Sequence, residues 1–285
     1  MADTKINYLD KTWNFIGGCT ECGAGCVNCW SKRLCTGRLK NHPLYQGLVK
    51  NGKWTGEIRT CLDIGRSDIL EQPLHWREPS IIGVEFTGDL FHPKVQFEFI
   101  DQVFDTMFTA YWHTYLLLTK RIERMAEYIK HLDDVCFEVG DPICWSQKPN
   151  EHIWLGVSIS TQKEADEKIP ILLQIPAAIR FISAEPLLEP LAFNWNLPYS
   201  SCKLSDYIAE RNTNYLDWII VGSESGPKRR PCKLEWIRDI VEQCKAANIP
   251  VFVKQIPING KVSHKMSDWP KWAQIRQWPE RSKQG

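Results

Sequence analysis

Ile81-Ile82-Gly83-Val84-Glu85-Phe86-Thr87-Gly88-Asp89 is a short, nearly continuous apolar run that stops on small and acidic residues. It does not alternate as a half-solvated strand would. Runs of this kind are buried on both faces, as in a parallel sheet covered by helices. The pattern recurs toward the C-terminus. Thr114 to Leu118 ends in Thr119-Lys120-Arg121, Ile153 to Val157 ends in Ser158-Ile159-Ser160-Thr161, and Ile179 to Ile182 ends in Ser183-Ala184-Glu185-Pro186. Trp218 to Val221 ends in Gly222-Ser223-Glu224-Ser225-Gly226, and Val251 to Val253 ends in Lys254-Gln255. Helical segments are expected over Lys94 to Ala110, up to Leu132, over Lys163 to Gln174 and over Leu234 to Ala247.

Strands alternating with helices of this length are the βαβ signal and predict an α/β fold. With the apolar run Trp13 to Ile16 there are about seven βα units, which predicts a full or partial TIM-type (β/α) barrel. A doubly wound sheet obeys the same local grammar and stays open. Both folds bind ligands at the carboxyl ends of the strands, so one site collecting these polar ends is the simplest expectation. The chain reads as a single domain over 1–285, with an irregular insertion over 40–79 and a C-terminal extension over 256–285. Asn51-Gly52 is a turn signal inside the insertion, and Trp269, Trp272 and Trp278 should pack the extension over the edge of the sheet.

Lys plus Arg is 35 and Asp plus Glu is 34, so a net charge of +1 rules out a global polycation and leaves only local basic patches. No apolar run reaches bilayer-spanning length, so no membrane partner is expected. The N-terminus lacks the apolar core of a secretory signal, and eleven cysteines without one point to a reducing cytoplasm. Thiols there are expected free or on metal, and Cys35, Cys61, Cys136, Cys144, Cys202, Cys232 and Cys244 read as ordinary buried thiols.

The other four cysteines crowd into Gly17-Gly18-Cys19-Thr20-Glu21-Cys22-Gly23-Ala24-Gly25-Cys26-Val27-Asn28-Cys29-Trp30, directly after the first strand. Thiolates are soft ligands for zinc, cuprous copper or iron–sulfur clusters. Cys22-x3-Cys26-x2-Cys29 matches the CxxxCxxC motif of radical SAM enzymes. There three thiolates hold three irons of a [4Fe–4S] cluster, and the open iron takes S-adenosyl-L-methionine. The alternative is zinc on Cys19, Cys22, Cys26 and Cys29, although zinc knuckles are normally spaced more widely.

Several segments together resemble one family: Gly18-Cys19 through Cys29, Thr87-Gly88-Asp89-Leu90-Phe91-His92, and Leu118-Thr119-Lys120-Arg121-Ile122-Glu123-Arg124-Met125. Trp154-Leu155-Gly156-Val157-Ser158, Ser183-Ala184-Glu185-Pro186-Leu187-Leu188, Val221 to Pro227 and Phe252-Val253-Lys254-Gln255 complete the set. The chain resembles the phage-associated three-cysteine-motif family, a radical-SAM-like group long described as a domain of unknown function. The resemblance implies a radical-SAM-type partial barrel. The family pattern C-x6-C-x2-C falls on Cys19, Cys26 and Cys29, whereas spacing alone begins with Cys22, so both stay open as the third ligand.

The remaining strand ends supply candidates. Gly88 and Asp89 occupy the place where radical SAM enzymes bind the amino group of the cofactor, against an N-cap reading of Asp89. Ser158, Ser160 and Glu224 suit a ribose or carboxylate of the cofactor. Lys120, Glu185 and Lys254 are candidate catalytic residues for anion binding and proton transfer, with Lys254 expected to pair with Glu185 or Glu224. Lys228, Arg229, Arg230 and Lys233 form a basic cluster that either is solvated or contacts phosphate. The partners expected are the small-molecule cofactor, an electron donor, and a nucleotide or DNA substrate. A non-catalytic metal-stabilised binding module is the competing reading.

Overall fold

A computed structural model of the chain describes residues 4–139, 144–193 and 216–280. It divides into two compact units, one over 1–125 with 152–154 and the other over 126–151 with 155–285.

The first unit opens with β1 (Lys11–Trp13) and β2 (Ile16–Gly17), followed by the cysteine loop and α1 (Trp30–Thr36). The insertion then contributes β3 (Val49–Lys50), β4 (Lys53–Trp54), β5 (Arg59–Thr60) and the short α2 (Gln72–His75). The repeat begins with β6 (Ile81–Val84), α3 (Phe97–Thr109), β7 (Thr114–Thr119) and the first turn of α4 (Ile122–Val139), the rest of which belongs to the second unit. β1, β6 and β7 pair in parallel, with Trp13 opposite Val84 and Val84 opposite Leu117. The continuous apolar runs are buried as their pattern demands. Ile82, Tyr115 and Leu116 are fully enclosed, and α3 buries Ile100, Val103, Phe104 and Met107 at helical spacing.

The insertion is not a free excursion. β3 and β4 form a hairpin across Asn51-Gly52, with Asn51 at φ 51 and Gly52 at φ 73, the left-handed pair that a tight hairpin turn needs. β5 pairs antiparallel with β2, placing Gly17 opposite Arg59.

The second unit carries β8 (Ile153–Ile159), α5 (Gln162–Gln174), β9 (Arg180–Ala184), β10 (Trp218–Gly222), α6 (Leu234–Ala246), β11 (Val251–Ile258) and β12 (Lys261–Ser263). β8, β9, β10 and β11 run parallel, and β12 returns antiparallel on β11. Gly156 lies opposite Phe181, whose ring fills the place a Cβ would take. Phe181, Trp218 and Phe252 continue as a chain of tilted and edge-on rings. Residues of the extension pack on β11: Val253 N–H donates to Ile275 O, and Trp278 meets Phe252 edge-on at 5.0 Å.

One expectation is met only in its coarser form, and one needs correcting. The repeated parallel βα units are present, but neither run of strands closes on itself, so no closed barrel is shown. Nor are all the scattered cysteines thiols. Cys136 and Cys144 form a disulfide; Cys35, Cys61 and Cys244 are buried thiols, Cys232 is half-buried, and Cys202 lies outside the described residues. No helix among the described residues is long and apolar enough to cross a membrane.

Candidate functional site

The cysteine loop leaves β2 through two glycines that nothing else could replace. A Cβ on Gly17 would strike the Leu44 carbonyl, and one on Gly18 would strike that of Glu57. Gly18 also has φ 93, a region that L side chains rarely enter. The insertion thus braces the backbone just before Cys19. A short 3-10 turn over Ala24–Cys26 follows, in which Cys26 N–H donates to Gly23 O, and α1 starts immediately after Cys29.

All four thiols are free of disulfides; Cys22 is exposed, Cys26 buried, and Cys19 and Cys29 half-buried. Cys22 donates to Cys26, which pushes the Cys22 thiol up and holds Cys26 down. The Lys120 cation also lowers Cys26. Burial pushes Cys19 up to about 12, with Asp89, Cys26 and Cys29 adding to the rise and Arg121 opposing it. Cys19 is therefore within electrostatic reach of two other thiols of the loop. Among the described residues, no group of three or more His, Cys, Asp or Glu side chains stands in metal-binding geometry. The donor set nonetheless fits a thiophilic metal by its chemistry: several thiols in one loop, none oxidised, with two cations at hand.

Arg121 joins this loop to the ends of β6 and β7. Its Nη1 pairs with Asp89 Oδ2 at 2.7 Å, and its Nη2 donates to Thr20 O and Thr20 Oγ1, each at 2.9 Å. The guanidinium stands 3.9 and 4.0 Å from Cys19 Sγ. Asp89 also accepts from Thr119 Oγ1 at 2.7 Å, Phe91 N at 3.1 Å and Lys120 N at 3.4 Å. Its carboxylate is thereby engaged on both oxygens by this chain, and it bonds Phe91 N as an N-cap-like turn would. His92 Nδ1 accepts from Lys94 N–H at 3.2 Å, so Nε2 carries the proton toward Thr20 Oγ1 at 2.9 Å. Burial, aided by Arg121, lowers the His92 pKa to about 4 and keeps the ring neutral.

The sequence reading missed Glu85. It is 1% exposed and has φ 52. Its Oε2 accepts from Phe15 N and Ile16 N, each at 2.7 Å, and its Oε1 from Gly88 N at 2.8 Å and Thr87 Oγ1 at 2.9 Å. One carboxylate thus ties the chain entering the cysteine loop to the Thr87-Gly88 turn. Because Thr87 Oγ1 donates to Glu85, the hydroxyl of Tyr45 donates to Thr87 Oγ1 at 3.0 Å. Ser31 Oγ adds a bond to Thr87 O, and Asn14 Oδ1 accepts from Phe86 N at 2.9 Å. Burial raises the Glu85 pKa to about 7 against the pull of these donors. The signal in the sequence was a charge inside an apolar strand run, a place where an unpaired acid is not tolerated.

The other candidates belong to the second unit. Lys254 Nζ bonds both oxygens of Glu185 at 2.7 Å, and Gln255 Nε2 bonds Glu185 Oε1 at 3.0 Å and Ser223 O at 2.6 Å. Neighbours on a regular strand point to opposite faces. Here the register slips between Val221 and Gly222, so that Val253 and Gln255 face consecutive residues of β10 and Lys254 is the extra residue of a bulge. That bulge lets Lys254 and Gln255 reach one carboxylate. Glu224 is not part of this group. It accepts from Arg230 N at 2.6 Å, Arg230 Nε at 3.1 Å and Arg230 Nη2 at 2.5 Å. Ser158 Oγ donates to Glu185 O at 3.3 Å. Ser160 is fully buried and Ser223 is 2% exposed, and neither hydroxyl has a partner among the described residues. The candidates therefore fall into two groups: the cysteines, Gly88, Asp89 and Lys120 in the first unit, and Ser158, Ser160, Glu185, Glu224 and Lys254 in the second.

No curated protein matches the chain. One solved structure, a mutant of spore photoproduct lyase with dinucleoside spore photoproduct, aligns at 14% identity and a TM-score of 0.37. The alignment covers 65% of this chain and 47% of that one, so the chain spans about half the length of that protein. A family model matches residues 3–282, and with the cysteine loop at its N-terminal end the chain belongs to that family, described as protein of unknown function (DUF5131).

Proposed function

We propose that the protein is a radical SAM enzyme in which Cys19, Cys26 and Cys29 hold a [4Fe–4S] cluster that takes S-adenosyl-L-methionine. The observation that carries this reading is the thiol set. Four thiols stand in one glycine-braced loop, free of disulfides, with Arg121 beside Cys19 and Lys120 acting on Cys26. Each ligating thiolate adds a negative charge, and these two cations offset it. Cys19 is favoured over Cys22 because the family pattern C-x6-C-x2-C, which the resemblance supplies, falls on Cys19, directly after Gly17-Gly18. When bound, the cluster supplies the single electron that cleaves the sulfonium bond of the cofactor and so begins radical chemistry.

The chain's own residues then have definite tasks. Glu85 and the Gly17-Gly18 pair fix the path of the loop. Gly88 keeps its turn close to that loop, and Asp89 orients Arg121. In the second unit, Ser158, Ser160 and Glu224 are proposed to position the cofactor, the two serines through their hydroxyls. Glu185 and Lys254, held together at 2.7 Å, are proposed to exchange a proton with substrate at Lys254 Nζ. The substrate proposed is a nucleotide or a modified DNA base, the class implied by the resemblance to a phage-associated family, and the electron comes from a separate donor.

A second reading rests on the fourth thiol. Four cysteines are one more than a cluster with an open iron takes, and they suffice for a closed structural zinc in a non-catalytic binding module. Anaerobic reconstitution separates the two. The proposal expects brown protein that, once reduced, converts S-adenosyl-L-methionine to 5′-deoxyadenosine, with Cys19→Ala losing the cluster and Cys22→Ala keeping it. Colourless protein carrying one zinc would overturn it.

A further inference from the structure

From Cys22 to Gly56 the chain carries Lys32, Arg33, Arg38, Lys40, Lys50 and Lys53 and not one carboxylate, although the whole chain has a net charge of only +1. Lys32 is buried and turned back onto Glu21 at 2.5 Å. The other five are exposed, and Arg38, Lys40, Lys50 and Lys53 make no ion pair among the described residues. They are carried by one packed body. Cys35 of α1 packs with Leu44 and Tyr45, and Leu39, Val49 and Trp54 close around them, so α1, the turn after it and the β3–β4 hairpin move together. The same body presents Trp30, 42% exposed, and Val27, 58% exposed, on either side of Cys29. Trp30 has no ring partner among the described residues, unlike exposed Trp278, which lies against Phe252.

The basic cluster after β10 offers a contrast. Arg230 is consumed by Glu224, Arg229 donates to Gly226 O and Gly260 O, and Lys233 lies over Trp236. Cations already bound in this way have little left for phosphate. Arg38, Lys40, Lys50 and Lys53 have no such partner among the described residues.

We propose that this apron binds the phosphate backbone of a single-stranded nucleic acid, with Trp30 stacking on a base next to the cysteine loop. Unpaired cations beside a solvent-facing aromatic ring are what a single strand uses. An acidic protein would also meet the charge. A protein interface, however, needs an apolar centre, and this surface offers only Val27 and Trp30. The inference deepens the function proposed above and rests on that reading for its place in a reaction, but binding itself requires neither the cluster nor turnover.

The test is fluorescence anisotropy of a labelled single-stranded oligodeoxynucleotide of about 20 nucleotides with the intact protein as purified. Five phosphate contacts predict a log–log salt slope of about −3.5, hence roughly 100-fold weaker binding at 200 mM than at 50 mM salt. Reversing Arg38, Lys40, Lys50 and Lys53 to Glu should weaken binding by at least about 10-fold and flatten the slope toward −1. Trp30→Ala should weaken it by about 10-fold with the slope unchanged. Thermal melts confirm that these surface variants fold. Lys261→Glu with Lys271→Glu is compared with Lys50→Glu with Lys53→Glu, which changes net charge by the same amount. Equal losses in the two double variants, or equal competition by poly-glutamate, would overturn the proposal in favour of a non-specific charge effect or an acidic protein partner. Strand binding that persists in a protein unable to cleave S-adenosyl-L-methionine would sink the radical reading alone. Cleavage without strand binding would sink only the apron.

Discussion

Around the cysteine loop, Glu85 and Asp89 each accept four hydrogen bonds from this chain, whereas the thiols beside them are held only by weak sulfur contacts. At the strand ends of the second unit, Glu185 is closed by Lys254 and Gln255 and Glu224 by Arg230, but two buried hydroxyls, Ser160 and Ser223, have no partner among the described residues. Buried polar groups are almost always satisfied, so the groups left over are those that the proposed cluster and cofactor would engage. The first unit is left with soft donors, suited to a metal, and the second with hard oxygens, suited to a polar organic ligand. Internal pairs fix the geometry in both regions, but the chemistry each leaves open differs.

The largest test of that contrast is metal retention. Cys26→Ala and Cys29→Ala should each abolish iron binding after anaerobic reconstitution, while Ser223→Ala leaves the iron content unchanged. Iron loss in the serine variant would erase the distinction between the regions.

Glu85→Ala comes next. It strands three buried backbone N–H groups, and unfolding in denaturant should show a loss of about 3 kcal/mol or more. Glu85→Gln reads the same residue by pH. Unfolded, the carboxyl titrates near 4.5; folded, burial raises it to about 7. Its contribution to stability is complete below 4.5 and is lost as pH rises through 7. The melting temperature of the wild type should therefore fall relative to the Gln variant across that interval. Parallel curves would mean that the four donors offset burial, and a relative rise that they outweigh it.

In the second unit, Lys254→Met leaves Glu185 facing Gln255 alone. Both members of the pair keep about one sixth of their side-chain surface exposed, so the loss should be about 2 kcal/mol rather than that of a fully buried pair. Adding Glu185→Gln should recover part of it, which a double-mutant cycle measures. The smallest effect is expected at the leftover hydroxyls. Ser160→Ala and Ser223→Ala remove unsatisfied polar atoms, so stability should hold or rise by up to about 1 kcal/mol while ligand affinity falls. A clear destabilisation would show that these hydroxyls already have partners.

Much of the architecture was legible because it is written in local periodicity. The apolar runs at 81–84, 114–119, 153–159, 180–184, 218–222 and 251–258 are the parallel strands, and the intervening helices lie close to expectation except α4, which runs past Leu132 to Val139. The candidate site was legible only in part. Lys254 was expected to pair with Glu185 or Glu224, and register chose Glu185 through a bulge that no local pattern announces. Glu85 was read as part of a strand because its partners lie about 70 residues away in sequence. Arg121, next to the candidate Lys120, is the cation that reaches Cys19 and Thr20, a choice made by side-chain direction at the end of β7.

By itself, then, the sequence determined which segments are strands and helices, and which residue types stand at the strand ends. Hydrophobic periodicity and loop spacing act over a few residues and need no partner to be expressed. The tertiary structure alone decided which acid meets which base, that Cys136 joins Cys144, and that the insertion clamps Gly17 and Gly18 in front of the cysteines. Those outcomes depend on strand register and on contacts between segments far apart in the chain, which are fixed only when the strands pack.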